Sequence, residues 1–170
     1  EAFERTGSSC IRKAMEWSNL VNQSMAMISD KKKQPFDGAR EALKSIRSYA
    51  DVVVVTAANG AEIRKEWEAQ SLIQYTDLLV SQETGRKAEC LKKLVQKGYE
   101  PGHVLMIGDS PADLKAAKEA GALFYPVLVY QERESWEAFP EILKQFLKGT
   151  YSSEEEARQI QEFQKNLGVQ

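Results

Sequence analysis

Asp109 and Asp113 are the residues whose types and spacing most clearly indicate chemistry. Four apolar residues at 104–107 run straight into Gly108 and Asp109, and a helical pattern begins at Pro111. This order predicts a buried strand, a tight turn and a helix, with Asp109 where the strand ends and Asp113 just inside the helix. Two carboxylates that converge at the carboxyl end of a strand suit a hard cation held by oxygen ligands. The sequence therefore predicts a cation site at this turn.

Thr56 is a second candidate because it follows four consecutive valines, 52–55, which predict a buried strand. Its hydroxyl and the backbone N–H groups of Ala57 and Ala58 would lie beside the N-terminus of a helix predicted over 61–70. Such groups form a seat for phosphate or sulfate. The alternative is that Thr56 only caps the helix, and Thr56 taken alone favours that alternative.

Lys87 is a third candidate because it begins the helix that the sequence predicts over 87–97. The helix dipole disfavours a cation at this end. A lysine there is either solvated or has an anion to hold, and taken alone it is better explained as solvated.

His103 precedes the strand at its amino end and is expected to be structural. This position argues against a serine esterase built on the Gly108-Asp109-Ser110 string. A serine nucleophile of that kind needs a histidine base, and the one histidine of the sequence would lie at the opposite edge of the sheet.

These candidates depend on the elements that must position them. The sequence predicts strands that alternate with helices, and Pro126 inside the last strand favours a sheet edge. Alternation of this kind implies an α/β fold with three layers, in which helices cover a mostly parallel, Rossmann-like sheet with right-handed crossovers. The predicted strands lie at 52–55, 77–80, 104–107 and 124–130, and the helices between or before them at 39–48, 61–70, 87–97 and from 111 to Gly121.

The carboxyl edge of this predicted sheet is where the polar candidates meet. Ligands of parallel α/β sheets bind at the carboxyl ends of the strands. Thr56, Asp109 and the loop that ends in Lys87 all lie on that edge. Three separate polar signals therefore point into one crevice.

The two ends of the chain are predicted to be helical. A helix at 8–29 has its apolar residues close to one face, more than a free-standing helix would need, so we expect it to pack elsewhere or to favour self-association. A charged linker at 30–34 separates it from the rest, which divides the chain into 1–34 and 35–170. The C-terminal helices are predicted at 134–148 and 154–167, the second with a capping box formed by Ser153 and Glu156.

Composition excludes several classes of protein. The 170 residues carry 23 Lys and Arg against 25 Asp and Glu, with no basic stripe, so nucleic acid is not an expected partner. Cys10 and Cys90 are isolated, which argues against a disulfide framework or a zinc site and favours reduced thiols in the cytoplasm. No apolar run approaches the ~18 residues of a membrane span, and the first residues lack the pattern of a signal peptide.

The stretches around Thr56, Lys87 and Asp109 resemble three motifs of the haloacid dehalogenase-like hydrolases. The strand 52–55 with Thr56 is similar to the second motif, whose Thr or Ser binds the phosphoryl group. Lys87 is similar to the third-motif lysine, which neutralises the phosphate and the nucleophile. The string GDSPAD at 108–113 resembles the fourth motif, whose acids hold Mg²⁺ directly or through water.

This resemblance covers residues 35–130 and implies a family core at 35–170 with a partial helical cap at 1–34. It implies Mg²⁺ as cofactor and phosphatase-type hydrolysis of a small phosphorylated metabolite through an aspartyl-phosphate. In such a mechanism Thr56 and the amide of Ala57 would orient the phosphoryl oxygens and Lys87 would offset their charge.

The family's first motif has no counterpart in this chain. That motif is a strand followed by Asp-x-Asp, and no Asp-x-Asp occurs in the 170 residues. In the family its strand lies between those of the second and fourth motifs, so its loss would leave roughly 9.6 Å between two strands, twice the ladder spacing. Since a sheet is not expected to keep such a gap, either the sequence is a fragment of a longer enzyme or the sheet closes up or borrows a strand.

Two functions follow from this departure. If a strand with the nucleophile lies outside the chain, the protein is a phosphatase-type hydrolase, and the 170 residues alone are expected to be inactive. If no such strand exists, the chain is a non-catalytic binding or interaction module on the same fold. The residues that precede Glu1 in the intact protein distinguish these alternatives.

Overall fold

A computed structural model of the chain describes residues 8–28, 33–81 and 84–168. The chain divides into two units, Glu1–Gln34 and Pro35–Gln170. The first unit contains helix α1, Ser9–Met27, close to the predicted bounds. Most of the predicted charged linker lies outside the described residues. Several large apolar side chains of α1 are exposed to solvent, namely Met15, Trp17, Leu20, Val21, Met25 and Met27.

The second unit alternates helices with strands, as the sequence predicts. Two short 3-10 turns, Ile73–Tyr75 and Pro101–His103, precede the second and third strands. The main elements in chain order are α2 Ala39–Ile46, β1 Val53–Val55, α3 Gly60–Ala69, β2 Leu78–Val80, α4 Lys87–Gln96, β3 Leu105–Gly108, α5 Pro111–Ala120, β4 Leu123–Pro126, α6 Glu132–Leu147 and α7 Ser153–Asn166. No helix in the part of the chain described here is both long and apolar enough to cross a membrane.

The strands pair in parallel, but they form two sheets. β1 pairs with β2, and β3 pairs with β4. Among the described residues no hydrogen-bonded ladder joins β1 to β3. The α/β class and the parallel pairing are therefore confirmed, and the two halves of the predicted sheet remain separate.

The last strand ends earlier than predicted. β4 stops at Pro126, so the extension of this strand to residue 130 is wrong. The N–H of Val127 still donates to the Gly108 carbonyl, at 2.9 Å. Beyond this point the backbone pairs with α7. The side-chain amide of Asn166 accepts from the Val129 N–H and donates to the Val129 C=O, both at 3.1 Å. A side-chain amide replaces the strand partner at this point.

Two apolar clusters lie on opposite faces of the β3–β4 sheet. Phe124 and Tyr125 are neighbours on β4 and both are almost fully buried, so their side chains point to opposite faces. Phe124 packs with Leu91 of α4, with α5 and with α7. Tyr125 packs with α2 and α6, and burial raises the pKa of its hydroxyl to about 12. The three predicted layers are present around this sheet.

The outer edge of β4 is covered by side chains. The N–H of Phe124 donates to Glu156 Oε1 at 2.7 Å, and its C=O accepts from the Tyr151 hydroxyl at 2.9 Å. The predicted capping box of α7 is wrong because Ser152 is the N-cap residue, accepting from the Glu155 N–H at 3.2 Å. Glu156 does not cap its own helix because its carboxylate accepts the hydrogen bond from the Phe124 N–H of β4.

The inner edges of β1 and β3 face an open cleft instead. Its volume is about 720 Å³, and Val52–Val55 and Val104–Asp109 form its two strand walls. Within the described residues the strands do not close up across this cleft; they form two separate sheets instead of one. Apolar side chains from the helices on both faces line the cleft, including Ile46, Leu94 and Leu143.

Candidate active site

The turn after β3 is built by a capping box. Ser110 is the N-cap of α5, and its Oγ accepts from the Asp113 N–H at 3.2 Å. Asp113 Oδ2 in turn accepts from the Ser110 N–H at 3.2 Å and from the Ser110 hydroxyl at 2.8 Å. Pro111 begins the helix where its missing N–H costs nothing. Ser110 has no predicted capping role, although a serine three residues before an acid is a recognisable capping signal.

Lys87 meets Asp113 across 26 residues of sequence. Its Nζ donates to Asp113 Oδ1 at 2.6 Å. The lysine side chain is 25% exposed and the aspartate side chain 4%. The solvated alternative for Lys87 is therefore wrong, since the anion that it holds in this structure is Asp113. Both oxygens of the buried carboxylate are engaged, one by Lys87 and one by Ser110.

Asp109 differs from Asp113 in its exposure to solvent and in its hydrogen bonds. It is exposed at the carboxyl end of β3 and contributes to the rim of the cleft. Within the described residues its carboxylate forms no hydrogen bond or ion pair. Asp109 is therefore available to an incoming group, whereas Asp113 is already paired.

Thr56 continues the ladder of β1 by one residue. Its N–H donates to the Val80 carbonyl at 2.9 Å, and its Oγ1 accepts from the Ala58 N–H at 3.1 Å. The helix-capping alternative is wrong because Asn59 caps α3, accepting from the next two amides at 3.0 and 3.2 Å. In the described part of the chain the N–H of Ala57 has no hydrogen-bond partner.

The structure brings some of the predicted site residues into contact and leaves others apart. Thr56 bonds the end of β2 at Val80, and the loop from β2 leads into Lys87. Lys87 then contacts Asp113, which follows β3. Lys87, Asp113 and Ser110 are thus in direct contact. Within the described residues Thr56 forms no hydrogen bond with Lys87, Asp109 or Asp113. Of these four residues, only Asp109 is among those that line the cleft.

His103 lies at the opposite end of β3, as expected for a residue outside the site. It is exposed, and its Nδ1 is 3.7 Å from the carboxylate of Glu100. Because His103 lies at the opposite end of β3 from Ser110, it cannot act as the base for that serine.

The residues present fit Mg²⁺ only in part. No group of three potential His, Cys, Asp or Glu ligands occurs within 8–28, 33–81 and 84–168. Mg²⁺ is commonly held by one or two carboxylates, water and phosphate oxygens. Asp109 fits the role of one such carboxylate, while Asp113 is committed to Lys87 and Ser110.

Gly108 permits the close approach of Asp113 to the end of β3. A Cβ at this position would lie 2.5–2.6 Å from the Cβ, Cγ and Oδ2 atoms of Asp113. Real contacts of this kind do not occur, and the carboxylate has no room to retreat because Lys87 and Ser110 hold it.

We therefore expect Gly108→Ala to lower the free energy of unfolding by about 1–3 kcal/mol, the usual cost of overpacking. Urea denaturation monitored by circular dichroism measures the change. Gly102→Ala is the matched control, since nothing lies within 4 Å of a Cβ added there. Equal stability of the two variants would contradict the tight packing inferred at Gly108.

Two comparisons with known proteins find similarity to the same group of hydrolases. The family model described as haloacid dehalogenase-like hydrolase matches residues 1–127. A solved HAD-superfamily hydrolase of subfamily IA, variant 1, from Geobacter sulfurreducens is similar, with a TM-score of 0.51 and 22% sequence identity. The match covers 66% of this chain and 62% of that one, so the chain spans less than two thirds of the solved relative. No curated protein matches the sequence.

Proposed function

Because the chain belongs to the haloacid dehalogenase-like hydrolases, we infer that it carries part of the active site of a Mg²⁺-dependent phosphatase. The substrate class is a small phosphorylated metabolite, and the reaction passes through an aspartyl-phosphate. The nucleophilic aspartate belongs to a strand outside these 170 residues. The chain itself contributes the charged and hydrogen-bonding residues that bind the phosphate and the metal.

The ion pair between Lys87 and Asp113 is the observation that carries this proposal. A buried carboxylate holds the ammonium group at 2.6 Å, at the edge where the exposed Asp109 also lies. A lysine at a helix N-terminus is disfavoured by the helix dipole. Holding Lys87 there therefore costs more free energy than letting its side chain extend into solvent. A fixed cation beside an unpaired carboxylate suits the binding of a phosphate together with a divalent metal.

Each site residue then has a distinct role. Lys87 offsets the charge of the phosphoryl oxygens and of the incoming carboxylate, and Asp113 positions Lys87. The hydroxyl of Thr56 and the N–H of Ala57 donate to phosphoryl oxygens. Mg²⁺, when bound, would be held by Asp109 and would supply further positive charge to the phosphate. Catalysis of phosphoryl transfer rests largely on such positioning and charge stabilisation.

The test is hydrolysis of p-nitrophenyl phosphate by the natural polypeptide that contains these residues, with Mg²⁺ and with EDTA. We expect Asp109→Asn to reduce turnover about a hundredfold or more. Asp37→Asn is the control, since Asp37 is also an exposed aspartate but lies in the turn before α2. Unchanged turnover in Asp109→Asn would refute the assignment, and the 170-residue chain alone is expected to show none.

A non-catalytic binding module is the second candidate. It is favoured by the absence of Asp-x-Asp from the 170 residues and by the open cleft. The same assay separates the two functions, because a binding module has no Mg²⁺-dependent turnover in any polypeptide that contains it.

A further inference from the structure

We propose that Tyr130 contacts the organic group of the substrate and that this group carries a planar aromatic ring. The substrate class is then an aryl or heteroaryl phosphate, which is narrower than phosphorylated metabolites in general. This inference rests on the proposed function for the phosphate itself, whereas the contact with Tyr130 is measurable without turnover.

The segment that carries Tyr130 follows β4 at the carboxyl edge of the β3–β4 sheet. It begins with Val127, whose N–H donates to the carbonyl of Gly108, the residue before Asp109, at 2.9 Å. Val127 and Asp109 both line the cleft. Tyr130 comes three residues later, at most about 11 Å of extended chain from Val127. Since ligands of parallel α/β sheets bind at the carboxyl ends of the strands, Tyr130 is within reach of a substrate whose phosphate is held near Asp109.

Hydrogen bonds fix the backbone of this segment at every residue. All five N–H groups from 127 to 131 donate, and their acceptors lie on β3, on α6, on α7 and within the segment itself. In chain order the accepting residues are Gly108, Ser135, Asn166, Glu132 and Leu128, at 2.9 to 3.1 Å. The segment is therefore part of the rigid scaffold, and a binding residue on it loses little freedom when a ligand arrives.

The backbone of Tyr130 has a conformation that a bulky residue rarely adopts. Its φ is +63°, and it is the third residue of a turn closed by the hydrogen bond from the Gln131 N–H to the Leu128 carbonyl. Glycine or asparagine usually takes a turn position with positive φ. The other non-glycine residue with positive φ in the described part of the chain is Ser71, a small residue just after α3. Tyrosine at position 130 therefore carries a folding cost that glycine would avoid.

The ring of Tyr130 does not offset this cost through packing. It is 96% exposed, more than any other large apolar side chain of the described residues. A single exposed aromatic side chain is ordinary on a protein surface. Here the exposed ring is combined with an unfavourable backbone conformation on a rigid segment beside the site. Backbone strain of this kind clusters at active sites and ligand clamps, so we assign the ring to the substrate.

A tyrosine ring favours a planar partner. Aromatic rings associate in offset-stacked or edge-to-face arrangements, and tyrosine offers a large contact area with few rotatable bonds to immobilise. In the proposed function Lys87 and Asp109 bind the phosphate and the metal, and neither recognises the rest of the substrate. Tyr130 supplies that apolar contact.

The experiment compares two phosphonates that differ only in their organic group. Phenylphosphonate and methylphosphonate have the same anionic head group, and each has a carbon–phosphorus bond in place of the ester that a phosphatase cleaves. Isothermal titration calorimetry with Mg²⁺, on the natural polypeptide that contains these residues, gives both dissociation constants. We expect phenylphosphonate to bind about tenfold more tightly than methylphosphonate. Tyr130→Ala is expected to remove most of this preference and to leave the affinity for methylphosphonate unchanged.

The controls separate the ring from the fold. Tyr130→Phe keeps the ring and is expected to keep the preference. Tyr49→Ala is the matched control, since Tyr49 is also an exposed tyrosine but precedes β1, at the amino end of that strand. Tyr130→Gly is expected to lose the preference while its midpoint in urea is no lower than that of the unchanged protein, because glycine accepts the positive φ.

Three results would overturn the proposal: no binding of phenylphosphonate, equal affinity for the two phosphonates, or a preference that survives in Tyr130→Ala. Hydrolysis of p-nitrophenyl phosphate distinguishes this failure from that of the proposed function. If the preference depends on Tyr130 but no turnover occurs, the phosphatase proposal fails while the aromatic contact stands. If turnover depends on Asp109 but the preference does not depend on Tyr130, the aromatic contact fails and the phosphatase proposal stands.

Discussion

Lys87→Met is expected to lower the free energy of unfolding by about 3 kcal/mol. The substitution keeps the length of the side chain but leaves the Asp113 carboxylate without its cation. That carboxylate is only 4% exposed, so water does not replace the lost partner. Removing one member of a buried pair typically costs about 3–5 kcal/mol, and we take the lower end because the Lys87 side chain is one-quarter exposed.

A double-mutant cycle identifies the ion pair as the cause. Asp113→Asn removes the charge that Lys87 neutralises, so the double variant is expected to be more stable than the sum of the two single changes predicts. Lys92→Met is the control because Lys92 is exposed on the same helix and pairs with no acid among the described residues. If Lys87→Met and Lys92→Met unfold at the same urea concentration, the pair contributes nothing to stability and its proposed role in fixing Lys87 loses its support.

This pair also shows the limit of sequence reasoning at the site. The positions of Thr56, Lys87 and Asp109 in the chain's elements follow from strand and helix patterns, because each residue comes directly after a strand or begins a helix. The contact between Lys87 and Asp113 does not follow from any local pattern, since it depends on the packing of two helices, α4 and α5, on the same face of the β3–β4 sheet. The sequence predicts Asp113 as a metal ligand, whereas the structure pairs it with Lys87.

The division of the strands into two sheets could not be predicted from local sequence patterns either. The valines of β1 and the apolar run of β3 correctly indicate buried strands with parallel partners. Neither run states which strand lies next to it, because a strand buried on both faces has the same composition beside any neighbour. Apolar residues of the helices on both faces line the gap between β1 and β3, and the packing of those helices is a property of the assembled layers.

The C-terminal region shows how neighbouring elements change local predictions. Residues 128–170 lie beyond the stretch that matches the family model, which ends at residue 127. Yet α7 supplies Glu156 and Asn166 to the backbone of β4 and of the segment after it. The predicted capping box failed because Glu156 serves this distant strand. The segment beyond the family match is therefore part of what holds β4, and with it β3 and Asp109.

Phe163→Ala is the second large effect that we expect, with a loss of about 3–5 kcal/mol in the free energy of unfolding. Phe163 is 1% exposed and its ring lies 5.6 Å from that of Phe124, in the cluster formed with α4 and α5. Truncating a fully buried phenylalanine removes its transfer energy and leaves a cavity. The loss includes about 0.5–1.5 kcal/mol from the tilted aromatic pair.

Urea denaturation gives the size of the loss, and limited proteolysis gives its location. Tyr130→Ala is the control because that ring is 96% exposed, and it is expected to change stability by less than about 0.5 kcal/mol. If α7 anchors β4, the variant is also cleaved first in the segment that joins α6 to α7, before the rest of the domain unfolds. A loss below about 1 kcal/mol with no new cleavage there would show that α7 only covers the surface. In that case β4, β3 and the site at their ends would be held by the other helices alone.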